Sequence, residues 1–171
     1  MSRIASVFSQ PGHKALIPYV TVGYPSIEAT LKVVPLLAAS GADMVELGIP
    51  FSDPLADGAT IQKASFHALQ NGVTPKLCLE VARQLCHKVD IPLVFMTYFN
   101  PVLSYGLEEF CVACTASGID GLIIPDLPPE EGSELEAIAQ NKGSLLSIYW
   151  LRAALRNESS LLLRGLADSS I

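Results

Sequence analysis

Apolar positions along the chain follow two alternating rhythms. Runs that are apolar at nearly every position occur at residues 15–22, 44–49, 92–97 and 121–125. Such runs, bounded by Gly, Pro and Asp, read as strands covered on both faces. Between them, apolar residues recur at helical spacing over residues 2–9, 27–39, 60–70, 75–88, 107–117 and 130–140. The punctuation agrees with these limits. Ser26 and Thr74 stand at N-cap positions and Pro75 at a first helical position, while Gly12, Asn71-Gly72, Gly118 and residues 141–143 close helices. Pro35 falls inside its helix and is expected to kink or loosen it. Residues 98–101, Tyr-Phe-Asn-Pro, read as the exit of the third strand. Strand and helix alternate four times, the order of a parallel α/β protein. An open flavodoxin-like sheet suits 171 residues. A closed eight-stranded barrel typically takes about 250.

One stretch breaks the apolar rule. Residues 43–58 read DMVELGIPFSDPLADG. Glu46 lies inside the second strand, and Asp53 and Asp57 lie in the loop that Pro50 and Pro54 stiffen. A carboxylate in an apolar strand must face a core or a site, since unpartnered burial costs several kcal/mol or raises the pKa. An acid on a strand followed by a rigid acidic loop is the layout of a site at the carboxyl end of a parallel strand. Asp-Pro is also a common turn former, and for Asp53 alone the turn reading is preferred. Glu46 and Asp57 together favour function, because Glu is so rarely buried without a reason.

Composition narrows the classes. Half of the residues are hydrophobic and the formal net charge is −6, so no basic surface invites nucleic acid or an anionic membrane. The apolar runs are too short and interrupted to span a bilayer, and residues 1–10 lack a secretory pattern. A cytoplasmic protein is expected. Cys111 and Cys114 form a C-x-x-C, but Cys78 and Cys86 do not supply a second metal-ligand pair. Buried reduced thiols are the expectation for all four, with no metal site.

The stretch at residues 46–58, ELGIPFSDPLADG, resembles the signature of the tryptophan synthase α subunit family. The likeness runs from about residue 2 to about residue 143. It implies a (β/α)8 barrel rather than an open sheet, with about four to five parallel strands of that barrel present here. It implies a lyase in tryptophan biosynthesis that cleaves indole-3-glycerol phosphate to indole and glyceraldehyde 3-phosphate by a retro-aldol reaction, without a cofactor. The resemblance makes Glu46 the general acid–base and Asp57 the acid that hydrogen-bonds the indole nitrogen. Tyr19, Met96, Tyr98 and Ile123 match positions lining the indole pocket; their plainer reading is core filling, and for Met96 and Ile123 the two are compatible. Asp53, Pro54 and Pro128 match the surface that meets the β subunit, which uses pyridoxal phosphate to join indole to serine within a complex of two α and two β subunits. The alternative is a non-catalytic fragment that docks on that subunit. A different phosphate-sugar barrel enzyme, such as an indole-3-glycerol phosphate synthase, is disfavoured by the length of the loop motif.

Residues 144–171 depart from the family pattern, which would continue with an apolar strand and then glycine-rich phosphate loops. Back-translated and shifted by one nucleotide, residues 155–164 are compatible with a reading of helix and strand character. A frameshift is therefore preferred over a divergent helix for this tail. On this reading, the chain is expected to expose sheet edges and apolar surface, to pack loosely or aggregate, and to lack measurable cleavage.

Overall fold

The computed structural model describes residues 2–9, 11–141 and 147–149. Its centre is a five-stranded parallel sheet in chain order. The strands are β1 (Tyr19–Thr21), β2 (Val45–Gly48), β3 (Leu93–Met96), β4 (Gly121–Ile123) and β5 (Ser147–Tyr149). The register aligns Tyr19 with Glu46, Glu46 with Val94, and Val94 with Gly121. The next row on the same face aligns Thr21, Gly48, Met96 and Ile123. Each ladder continues one residue past its strand, from Val22 N–H to Gly48 O, Ile49 N–H to Met96 O and Thr97 N–H to Ile123 O.

The helices are α1 (Arg3–Val7), α2 (Ile27–Ala39), α3 (Ala59–Gln70), α4 (Pro75–Cys86), α5 (Phe99–Tyr105), α6 (Leu107–Ala116) and α7 (Ser133–Asn141). Ser26 Oγ accepts from Ala29 N–H at 3.1 Å and Thr74 Oγ1 from Leu77 N–H at 3.2 Å, so both caps act as their positions suggest. α2 runs through Pro35 without a break. Two segments differ from expectation. The strand exit at residues 98–101 is the start of α5, and Pro101 fits there because first-turn N–H groups have no helical partner. The single helix over residues 130–140 is a 3-10 turn, Pro129–Glu131, followed by α7. β1 is also shorter than its apolar run, since Pro18 has no N–H to give to a ladder.

Alternation along the strands separates two faces. Val22, Val45, Leu47, Leu93, Phe95, Leu122 and Ile124 are buried in the main core with residues of α4, α6 and α7. The opposite face carries a smaller cluster of Met44 and Val94 with Ile4 of α1, against which Phe8, Ile17 and Ile123 pack. α1 thus covers the amino-terminal end of this second face. It is tied there by Arg3, which bonds Asp120 at 3.0 Å and the Asp90 carbonyl at 2.8 Å. Asp120 also accepts from Leu93 N–H at 3.0 Å, and Asp43 accepts from Leu16 N–H at 2.7 Å. Acids at this end therefore hold strand starts in place.

Cys78, Cys111 and Cys114 are buried and free, and Cys86 is free but only half-buried, a correction to the expectation that all four are buried. Burial pushes the Cys78 thiol up to about 12 and the Cys111 thiol to about 11. Of the tail at residues 144–171, only β5 falls within the described residues; the helical and frame-shifted readings of the remainder lie outside them.

Candidate active site

Glu46 sits in the middle of β2, between Tyr19 of β1 and Val94 of β3. Its side chain shares the face covered at one end by α1, because Val45 and Leu47 on either side point into the main core. It is half-buried, and desolvation raises its carboxyl above the usual range. A carboxyl in that state holds a proton nearer to neutral pH than an exposed one and is suited to acid–base work.

Tyr19 is the neighbour of Glu46 in register, and its phenol lies across Gly48. A Cβ at Gly48 would collide with the Tyr19 hydroxyl and ring, so the glycine makes the space that the phenol occupies. The Thr21 hydroxyl is 3.5 Å from the Tyr19 hydroxyl. Burial, with a smaller push from Asp57, Tyr98 and Glu46, raises the Tyr19 phenol to about 12. It is a neutral donor at any ordinary pH.

Asp57 reaches the same mouth from the loop after β2. Burial raises its carboxyl, and the nearby Tyr98 hydroxyl partly offsets that effect. Tyr98 immediately precedes α5 and is 4% exposed. Its hydroxyl accepts from Ala56 N–H at 2.9 Å, and its ring packs on Phe51 with centroids 5.4 Å apart. The Gln62 amide bonds the Asp57 carbonyl at 2.9 Å, so α3 steadies the same loop.

Met96 and Ile123 lie side by side at the ends of β3 and β4, on the Glu46 face. Ile123 also packs on the Ile4 cluster, so it is at once floor and core. The structure thus draws Tyr19, Glu46, Asp57 and Tyr98 into one electrostatic neighbourhood, with Met96 and Ile123 alongside on the sheet. Asp53 is exposed, and its carboxylate takes a hydrogen bond from the Ser52 hydroxyl, a local turn contact. Pro128 is exposed on the loop after β4. Pro54 helps to line a groove of about 680 Å³ with Phe51, Phe66 and Leu69. That groove lies along α3 and does not include Glu46, Asp57 or Tyr19. Among the described residues, no three His, Cys, Asp or Glu side chains are gathered to hold a metal ion, and no helix is long and apolar enough to cross a membrane.

Three contributors escape notice in the sequence. Gly48 reads as a strand terminator, Phe51 as a loop residue and Asp126 as a turn former. Their roles depend on contacts across the sheet, with Tyr19, Tyr98 and the Phe99 N–H respectively. Periodicity along one segment carries no trace of such pairings.

A parallel sheet in chain order, with helices packed on one face and ionisable groups gathered at the carboxyl ends of its strands, defines part of a (β/α)8 barrel of the enzyme type. The chain belongs to the tryptophan synthase alpha chain family, whose sequence model matches residues 6–160. The tryptophan synthase alpha chain of Dehalococcoides mccartyi is 56% identical over 153 residues, which cover 90% of this chain and 58% of that protein. That of Chloroflexus aggregans is 54% identical, covering 81% and 54%. The chain therefore spans little more than half the length of these relatives. A crystal structure of the Legionella pneumophila alpha chain superposes with a TM-score of 0.79 at 36% identity, covering 88% of this chain and 56% of that one. A ligand-free form of Mycobacterium tuberculosis tryptophan synthase gives 0.85 at 34% identity, covering 100% and 68%.

Proposed function

We propose that this chain carries the acid–base half of an indole-3-glycerol-phosphate lyase. The observation behind this reading is the pair of carboxyls with raised pKa, Glu46 and Asp57, at one mouth of the sheet. Retro-aldol cleavage asks for a proton at carbon 3 of the indole, removal of the glycerol hydroxyl proton as the aldehyde forms, and a negative group near the indole N–H as the ring becomes cationic. Glu46 handles the first two as general acid and base. Asp57 takes the third, fixed in place by Tyr98. Tyr19, Met96, Tyr98 and Ile123 enclose the ring. No step calls for a metal or organic cofactor. The substrate phosphate is left to the later strand–helix units of a whole barrel, where helix N-termini suit an anion.

A chimera tests this. The first 149 residues of this chain replace the matching part of the D. mccartyi relative, and indole release from indole-3-glycerol phosphate is assayed. Release is expected. A folded chimera that releases none, beside an active parent, overturns the reading.

A second role concerns the outer side of the same loop. Leu55 is 93% exposed beside Asp53 and Pro54, on the loop that the family resemblance assigns to a subunit contact. The occupant that family membership supports is a tryptophan synthase β subunit, with Asp53, Pro54 and Pro128 at the contact. Retention of this chain on an immobilised β subunit, weakened by Leu55→Ser, is the expected result. Equal retention of both forms removes the loop from the interface.

A further inference from the structure

The carboxylate of Asp126, just beyond β4, accepts a 2.9 Å hydrogen bond from the Phe99 backbone N–H. That N–H opens α5 and has no helical carbonyl to bond. Fixing Phe99 fixes the backbone of Tyr98 beside it. From there the Tyr98 side chain crosses to the loop after β2, where its hydroxyl accepts from the Ala56 N–H at 2.9 Å, next to Asp57. Phe51 stacks on the ring from the same loop. Below this point β3 and β4 are already bound together through Thr97 N–H and the Ile123 carbonyl. Three loops at the carboxyl face are therefore linked in series: Asp126 after β4, Tyr98 after β3, Asp57 after β2.

We propose that Asp126 is a positioning residue for Asp57, acting through the first turn of α5 and the Tyr98 hydroxyl. The inference rests on the reading of Asp57 as the partner of the indole N–H. The loop bearing Asp57 is exposed along much of its length, and a loop of that kind does not hold a carboxylate to the fraction of an ångström that orientation requires. The strap does so from the rigid end of a neighbouring strand. The Tyr98 phenol also stays protonated. Burial is the main reason its phenol pKa is raised, and the nearby charges of Asp57 and Asp126 push the same way. Tyr19 and Glu46, the other ionisable groups at the mouth, stand on β1 and β2 and are not part of the series.

The test is the titration of the Asp57 carboxyl, followed by 13C NMR on the 171-residue chain labelled at aspartate. Asp57 should titrate above the ordinary aspartate range in the parent. Tyr98→Phe should move it further up, because the neighbouring hydroxyl that favours the charged form is gone. Asp126→Ala should move it the same way, with no further shift when combined with Tyr98→Phe. Asp126→Asn keeps an acceptor oxygen for Phe99 and should restore the parental titration. A parental titration in Asp126→Ala overturns the proposal, as does a parent whose Asp57 titrates in the ordinary range. The functional reading fails separately: if Asp57→Asn in the chimera keeps parental turnover, Asp57 leaves the mechanism while the shift caused by Asp126→Ala stands.

Discussion

Glu46 is held in a place that disfavours its charge, and this has a consequence for stability. Its folded pKa is raised by desolvation, so the folded chain binds that proton more tightly than the unfolded chain. The stabilisation from protonation is complete below the ordinary Glu value of about 4.3 and is lost as pH rises through the folded value. Glu46→Gln removes the buried charge and should raise the urea midpoint at pH 7.5, with the gain shrinking toward pH 4. An equal gain at both pH values would mean that burial of the charge is not its source. Asp57→Asn in the chimera should slow turnover, because an amide has no charge for a cationic ring. Gly48 sets a steric limit beside them. Gly48→Ala drives a Cβ into the Tyr19 phenol and should cost about 1–3 kcal/mol by denaturation. In a Tyr19→Ala background the same change should cost far less, since the collision partner is gone.

At the scale of elements, the sequence carries the helices well. Residues 27–39 are helical to the residue, and α4 begins at Pro75 behind the Thr74 cap. These limits are set by local chemistry, a side-chain cap at one end and a glycine or asparagine at the other, and local chemistry is visible in a string of letters. α5 was not legible, because Asn-Pro is written the same way in a turn and in a first helical turn. The faces of the strands were not legible either. A run such as residues 92–97 is apolar throughout, and only the packing shows Phe95 in the main core and Val94 on the Glu46 side. Glu46 itself was legible because one carboxylate in an apolar run has few explanations. The small element α1 closes the amino-terminal end of the site face through Ile4, which is 1% exposed against Met44 and Val94. Ile4→Ala should cost about 2–4 kcal/mol in equilibrium unfolding. A loss below half a kilocalorie per mole would mean that α1 is not docked there.

On the scale of the whole molecule, the two ends of the sheet divide the labour. Asp43 and Asp120 at the amino-terminal end are spent on Leu16 N–H, Leu93 N–H, His13 and Arg3. Their role is to fix where strands begin. The acids at the carboxyl end, Glu46 and Asp57, have burial rather than a cation as their dominant environment. On the proposed function, that contrast makes the carboxyl face the place where a proton is held ready. The main core on the helix side of the sheet supplies the rigidity that keeps both carboxyls in position. The most direct test compares indole release by the chimera with and without Glu46→Gln, substrate binding and fold being checked alongside. A loss of about 10² to 10⁴-fold in turnover is expected, with the fold retained. Turnover within a few-fold of the parent would contradict it, and would remove Glu46 from the centre of the chemistry.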